Sequence, residues 1–396
     1  MKFFEIKKQS KKSKARVGII HTAHGDIHTP AFVPVATKGT LKTIPPREFQ
    51  EIGVQVAFVN TFHLVSHPGA NVIQKFGGIH AYAKLGIPLM SDSAGFQVFS
   101  LGGRKPFDSA QGDSQKRIKT HEGEEVPVKK ISEEGVLFRA PRDGKEILFT
   151  PELSIKYQQQ IGADLIMAFD ECIYHGADYE YTKQATERTH RWLERCIKAK
   201  GSPSTLPRQA RDRSGLQQFL YGIVQGGVFK DLREESAKFI GEQKVDGVAI
   251  GGVAVGETKK EIREQLRWVA PYLPEDKPVH LLGIGQSDDI LDAVRYGVDT
   301  FDCVEPTRLA RNGVVYTKRG RTFGRIDLNR RTYLANKNPI QKNCGCYACR
   351  NFSLSFIHHL FKERELLGHY LATWHNLYSF AEFFRNLREQ IAAGKI

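Results

Sequence analysis

At 396 residues the chain is long enough for two average domains or for one large barrel of alternating strands and helices. Its 58 Lys and Arg against 44 Asp and Glu leave a formal charge of +14, which points to polyanionic partners, nucleic acid ahead of an anionic membrane surface. No apolar run reaches the ~18 residues of a membrane span, and the basic segment from Lys2 to Arg16 lacks the apolar core of a signal peptide, so a cytoplasmic protein is expected.

Short apolar runs ending in a polar residue or glycine recur along the chain at 56–60, 87–92, 163–170, 219–225, 247–252, 279–285 and 299–303, with an earlier one at 18–20 or 31–35. Segments of helical pattern are interleaved with them, at 151–161, 182–200, 232–242, 259–269 and 287–296. Thr258-Lys259-Lys260-Glu261 and Ser287-Asp288-Asp289 open two of these with residues suited to a helix N-terminus. Strands alternating with helices imply parallel βαβ units, and their number fits a (β/α)8 TIM-type barrel. A doubly wound open sheet is disfavoured because no G-x-G-x-x-G follows the first strand. Two polar stretches, 102–125 and 202–215, read as flexible loop insertions.

The polar residues closing the runs carry the functional signal. Asp92, Asp170, Gln225, Gly252 and Asp302 all fall at strand C-terminal ends, which a barrel gathers on one face. A single aspartate there is more often a cap or turn residue, but that reading does not explain five such positions. Asp302, beside Cys303, is a candidate nucleophile.

Six cysteines in a chain of this size do not suggest a disulfide scaffold. Three of them, Cys344, Cys346 and Cys349, form C-x-C-x2-C, and three thiolates with one imidazole make a closed tetrahedral zinc site of structural type. Spacing alone leaves His358, His359, His369 and His375 open as the fourth ligand. From Arg308 to Arg350, the eleven cations Arg308, Arg311, Lys318, Arg319, Arg321, Arg325, Arg330, Arg331, Lys337, Lys342 and Arg350 accompany one acid, Asp327. That balance reads as a polyanion groove, with Tyr316, Phe323 and Tyr333 interleaved as possible base-stacking rings.

Taken together, Ser91-Asp92-Ser93-Ala94-Gly95-Phe96-Gln97, Phe169-Asp170-Glu171-Cys172, the segments 222–227 and 250–257, Phe301-Asp302-Cys303 with Pro306-Thr307-Arg308, and the cysteine knuckle resemble bacterial tRNA-guanine transglycosylase. The match runs through nearly the whole chain outside the two loops. The resemblance implies an irregular (β/α)8 barrel over 1–396, a zinc-binding subdomain within 313–380 with one structural zinc per subunit, and a homodimer. It implies exchange of guanine at the anticodon wobble position 34 of tRNA for 7-aminomethyl-7-deazaguanine in queuosine biosynthesis.

Carried over by residue, Asp302 becomes the nucleophile of a covalent enzyme–RNA intermediate and Asp92 the general acid/base. Ser93, Ala94, Gly95, Phe96, Asp170, Gln225, Gly252 and Val253 join Asp92 around the base, with Phe96 stacking on it. Asp289, Thr307, Arg308 and Arg311 fall to the RNA, and His375 becomes the fourth zinc ligand. Cys172 and Val255 match the bacterial form, which takes the aminomethyl base. The sequence departs from the family pattern at Ala94, where glycine is usual, at Glu305, where an apolar residue is usual, and at Leu309, where asparagine is usual.

The chemistry is self-consistent. Base exchange with no redox step asks one carboxylate to hold an oxocarbenium-like sugar and another to move protons, as in retaining glycoside transfer. A non-catalytic tRNA-binding subunit on the same scaffold has no need of both Asp302 and Asp92. A glycoside hydrolase acting on neutral sugars has no need of the basic segment.

Overall fold

The computed structural model describes residues 2–95, 128–139, 146–201 and 217–396; Phe96 and both expected insertions, 102–125 and 202–215, lie outside the described residues. Strands β1 (Phe4–Gln9), β2 (Arg16–Thr22) and β3 (Gly25–Thr29) form an antiparallel sheet. The barrel strands then begin with β4 (Ala31–Pro34), β5 (Ala57–Val59) and β6 (Leu89–Ser91). A second antiparallel sheet, β7 (Val128–Ser132), β8 (Gly135–Arg139) and β9 (Glu146–Phe149), precedes β10 (Leu165–Met167), β11 (Phe219–Val224), β12 (Gly247–Ile250), β13 (Val279–Leu281) and β14 (Thr300–Cys303). A hairpin, β15 (Val314–Arg319) and β16 (Thr322–Asp327), follows.

Eight parallel strands make one sheet in the order β4-β14-β13-β12-β11-β10-β6-β5, and a parallel bridge between Val35 and Phe58 draws its ends together into a nearly closed TIM-type barrel. Of the two early candidates, residues 31–35 supply the barrel strand; residues 18–20 belong to the antiparallel β2. Strands β4, β11 and β12 are buried at every residue, as expected where helices cover a parallel sheet, which is why they read as continuous apolar runs.

One device recurs at the strand starts. Asp164, just before β10, accepts the backbone N–H of Leu89 at 2.9 Å; Asp246, before β12, accepts that of Leu220 at 2.8 Å; and Asp299, before β14, accepts that of Val279 at 2.7 Å. In each case the same aspartate donates its own N–H to the carbonyl of that residue, at 2.8–2.9 Å. The side chain thus completes a two-bond pairing where the ladder would otherwise fray. Arg16 neutralises the buried Asp299 through a two-pronged contact at 2.9 and 2.6 Å.

The helices begin and end where their capping chemistry dictates. Thr150 accepts from Leu153 N–H, Pro151 takes the first turn, and Gly162 closes the helix Pro151–Ile161 in the left-handed region. Thr258 and Glu261 complete a capping box on the helix Lys259–Val269. No helix among the described residues is long and apolar enough to cross a membrane.

The chain divides into two compact units. The first comprises Met1–Phe58, Leu85–Pro88 and Pro278–Ile396, and the second Val59–Lys84 and Leu89–Lys277. In the first unit the helix Leu366–Ala392 lays Phe380 against Phe32 (ring centroids 4.5 Å) and Phe384 against Phe301 (5.7 Å). Its buried Asn376 donates to the carbonyls of Pro306 and Val314 and accepts the N–H of Tyr316, so one side chain fixes the segment after β14 and the hairpin. Two of the rings read as base-stacking groups are used here instead. Tyr316 is buried and packs against Phe380, and Phe323 packs on Phe380 and Phe383. Helix aromatics more than fifty residues away in sequence cover the hairpin's inward face.

Candidate active site and metal centre

In the second unit, Asp92 follows β6 and is held on both oxygens. Its Oδ1 accepts the N–H groups of Thr61 (2.9 Å) and Ala94 (3.1 Å), and its Oδ2 accepts from the Asn60 amide. Asn60 also caps the helix Thr61–Ser66 by accepting from His63 N–H. Ala94 is fully buried with φ +70°, a left-handed conformation that costs a residue with a β-carbon about 1–2 kcal/mol. The glycine-to-alanine departure therefore falls where the backbone asks for glycine.

Three residues beyond β10, buried Asp170 accepts from Ser93 Oγ at 3.2 Å and from Gln225 Nε2 at 2.8 Å. Burial pushes its carboxyl up from 3.8 to about 6, while those two hydrogen bonds oppose the shift. With its amide turned to Asp170, Gln225 has a carbonyl oxygen that is buried with no partner among the described residues, an acceptor available to a bound molecule. Two glycines leave room for these groups. A β-carbon on Gly95 would sit 2.7 Å from the carbonyl of Asp170, and one on Gly252, at φ +60°, would sit 2.6 Å from Gln225 Oε1. Val253 is buried beside Gly252.

Arg233, fully buried, braces this wall: it donates to the carbonyls of Gly227 (2.7 Å), Gly251 (2.7 Å) and Gly252 (2.6 Å) and to Gln265 (3.0 Å). Burial lowers its pKa to about 10, so it stays charged at neutral pH. Gln158 ties Ser91 to both backbone groups of Met167, joining β6 to β10 directly beneath these residues. Neither Arg233 nor Gln158 was legible in the sequence, where each is one polar residue in an amphipathic helix.

In the first unit, Asp302 is the penultimate residue of β14. Its Oδ1 is contacted by His280 Nε2 at 3.1 Å and accepts Gly283 N–H at 3.0 Å. Sequence reasoning missed His280; its one signal was an imidazole inside the otherwise apolar Val279–Leu281. Burial pushes the neighbouring Cys303 thiol up to about 12, so it is held protonated at neutral pH.

Glu305 also has a role here. It accepts from Tyr316 Oη and from Gln286 Nε2, each at 2.8 Å, and pairs with Arg325, so it binds the segment after β13 to the basic hairpin. The structure shows no comparable role for Leu309. Arg308 is exposed, Arg311 donates to the carbonyl of Thr307, and Thr307 and Asp289 are buried near the starts of their helices. Of the eleven cations of the basic segment, all but Arg311 are exposed. A cavity of about 710 Å³ is lined by three of them, Lys318, Arg321 and Lys342, together with Phe323, Tyr378 and Glu382.

The knuckle and the long C-terminal helix build a metal centre. Sγ of Cys344, Cys346 and Cys349 lie 3.9, 3.3 and 3.4 Å from His375 Nδ1. Tetrahedral bonds of about 2.3 Å to sulfur and 2.0–2.1 Å to nitrogen place such atoms roughly 3.5 Å apart, so the donor set could hold a metal ion and is compatible with zinc. His375 Nε2 faces the Tyr316 carbonyl at 2.8 Å, an outer partner that leaves Nδ1 free to ligate. His358 is turned away, with its Nδ1 on the Leu328 carbonyl.

The family model described as queuine tRNA-ribosyltransferase matches residues 10–396. A queuine tRNA-ribosyltransferase of Acetivibrio thermocellus is 41% identical over 393 residues, covering 99% of this chain and 94% of the relative. One from Protochlamydia amoebophila is 43% identical over 388 residues, covering 98% and 95%, and one from Natranaerobius thermophilus is 39% identical over 389 residues, covering 98% and 94%.

Proposed function

Since this chain belongs to the queuine tRNA-ribosyltransferase family, we propose that it exchanges the guanine at wobble position 34 of tRNA for 7-aminomethyl-7-deazaguanine through a covalent RNA–enzyme intermediate. It is a transglycosylase of queuosine biosynthesis. The observation that carries the residue-level reading is Asp302, an acceptor-only side chain at a strand end with one oxygen held by two contacts.

Asp302 attacks the anomeric carbon of the ribose as guanine leaves, and Asp92 carries the proton to the departing base and from the arriving one. Attack and return each invert the sugar, so configuration is retained. Asp170, Gln225, Ser93 and the turns at Ala94–Gly95 and Gly252–Val253 recognise the base. A guanine-type edge offers N1–H and N2–H2, which suit the Asp170 carboxylate and the unpartnered Gln225 carbonyl. Phe96, expected to stack on the base, lies outside the described residues. Asp289, Thr307, Arg308, Arg311 and the exposed cations hold the anticodon loop, whose base can be splayed out without opening a duplex. Zinc on Cys344, Cys346, Cys349 and His375 is structural, since four protein ligands leave no open position. A cytoplasmic location accompanies a tRNA substrate.

Incubation with unmodified tRNA and labelled guanine tests this reading. Label is expected at position 34 alone, and a protein that binds tRNA without incorporating label would be a silent binding subunit instead.

The pH dependence follows from Asp170. Because its folded pKa lies above the ordinary value, the carboxyl favours the fold fully below 3.8, and that contribution is lost as pH rises through about 6. Base recognition runs the other way, because the ionised form is the acceptor. KM for the free base is therefore expected to be about tenfold higher at pH 5 than at pH 7, and a flat profile would remove Asp170 from the base site.

Leu334, Phe356, Leu366 and Leu367 are exposed apolar side chains of the zinc-bearing unit, and we place a homodimer contact there. Light scattering is expected to give twice the 44.7 kDa chain mass; the single-chain mass at micromolar protein would exclude it.

A further inference from the structure

We propose that His280 is a positioning residue for the nucleophile. It holds one oxygen of Asp302 so that the other attacks, and it steadies the charge that returns to the carboxylate when the covalent intermediate breaks down. The proposal rests on the reading of Asp302 as nucleophile.

His280 is completely buried in β13, behind a carboxylate that is itself 14% exposed, so it does not reach substrate. Its Nε2 lies 3.1 Å from Asp302 Oδ1, its Nδ1 lies 2.9 Å from Thr300 Oγ1, and its ring faces that of Phe58 at 5.8 Å. The contacts select the tautomer. A bare Nε2 would set its lone pair against an anionic oxygen, so the proton sits on Nε2, and the rotatable Thr300 hydroxyl donates to Nδ1. Gly283 N–H donates to the same Oδ1 at 3.0 Å, while Oδ2 takes no hydrogen bond from the described residues. One carboxylate thus has a doubly held oxygen and an open one.

The asymmetry bears on both half-reactions. In the first, a lone pair of Oδ2 forms a bond to C1′ as the C1′–N9 bond breaks; the electron pair leaves with guanine, which is protonated at the general acid. In the second, N9 of the incoming base, losing its proton to the same group, attacks C1′. The C1′–Oδ2 bond breaks and its electron pair returns to Asp302. In the adduct Oδ1 is an ester carbonyl, a weaker acceptor than a carboxylate oxygen, so the His280 and Gly283 donors favour the ionised, released state. They speed departure of the nucleophile more than they help its attack.

His280→Phe keeps a ring on Phe58 and removes the donor. With tRNA and excess base, trapped by denaturation, this variant is expected to accumulate adduct. Its breakdown should slow by about 10- to 100-fold, the range for loss of one hydrogen bond to a charged group. KM for tRNA should be unchanged, and His280→Gln, which restores an N–H donor, should recover most of the rate. A purely structural role predicts the opposite sign, with adduct and turnover falling together. Unchanged breakdown in His280→Phe, or a Gln variant as slow as Phe, would overturn the proposal. If the orphaned Thr300 hydroxyl prevents folding, the double variant His280→Phe/Thr300→Val removes it and is read in the same way. Absence of any adduct in the unaltered enzyme, or an adduct mapped to another residue, would refute the reading of Asp302 itself.

Discussion

Asp302→Asn is expected to abolish base exchange and the RNA adduct together while leaving the protein folded. The amide has the shape of the carboxylate, and its oxygen can still accept from His280 and Gly283, so the strand end keeps its geometry. It lacks the anionic oxygen that forms the bond to C1′. Loss of a covalent nucleophile lowers turnover on the order of 10⁴-fold or more, with the remainder coming from binding and charge stabilisation. The expected pattern is tRNA binding and melting temperature close to the parent protein, with no band shift on a denaturing gel. Adduct at normal yield from Asp302→Asn would be fatal to the assignment. The neighbouring thiol is a poor substitute, since burial holds Cys303 protonated at neutral pH.

Removal of the metal is expected to have the second-largest effect. Three thiol sulfurs lie within 3.9 Å of one imidazole nitrogen, a donor set that a bound cation would hold together. Without it the thiols re-protonate and the cluster loses its reason to close. Structural zinc contributes about 10–16 kcal/mol of apparent binding free energy in small zinc domains. Only part of that is needed here, because the helix Leu366–Ala392 also buries Trp374, Phe380 and Phe384. Loss of several kcal/mol lowers the melting temperature on the order of 10 °C.

Chelator, or Cys346→Ala, should produce this shift, and metal analysis should return one zinc per chain. Metal-free protein with full stability would contradict the assignment. The damage should also reach function, because His375 meets the Tyr316 carbonyl and the next residue, Asn376, anchors Pro306 and Val314. The segment assigned to RNA therefore hangs from the same turn of helix as the metal ligand.

Much of this was legible in the sequence because the governing forces are local or periodic. Doubly buried parallel strands appear as apolar runs, and the helix Lys259–Val269 begins at the Thr258 box and ends where its pattern ends. The expected strands are longer than those observed. The run expected at 163–170 is regular strand only over Leu165–Met167; Asp164 and Ala168 extend its backbone pairing by one residue at each end, and Asp170 lies beyond it, bonded to Gln225.

What was not legible depends on partners distant in the chain. His280 looks like any core histidine until Asp302 is beside it. Arg233 looks like a surface helix residue until three carbonyls close on it. Glu305 breaks the apolar pattern of its position for no visible reason until Gln286, Tyr316 and Arg325 gather round it. The misreading of Tyr316 and Phe323 has the same origin, since an aromatic in a basic stretch fits a base platform and a helix-packing face equally well.

The aspartate clamps at Asp164, Asp246 and Asp299 bear on how freely the chain can change. They fix which residue of one strand lies opposite which residue of the next, and they do so at the strand starts, opposite the ends that carry Asp170 and Asp302. Alignment of the staves is therefore insured upstream, and the downstream turns are free to vary without letting the sheet slip. An enzyme built this way can trade Gly for Ala at position 94, or accept a charge at position 305, as local experiments on an otherwise settled frame.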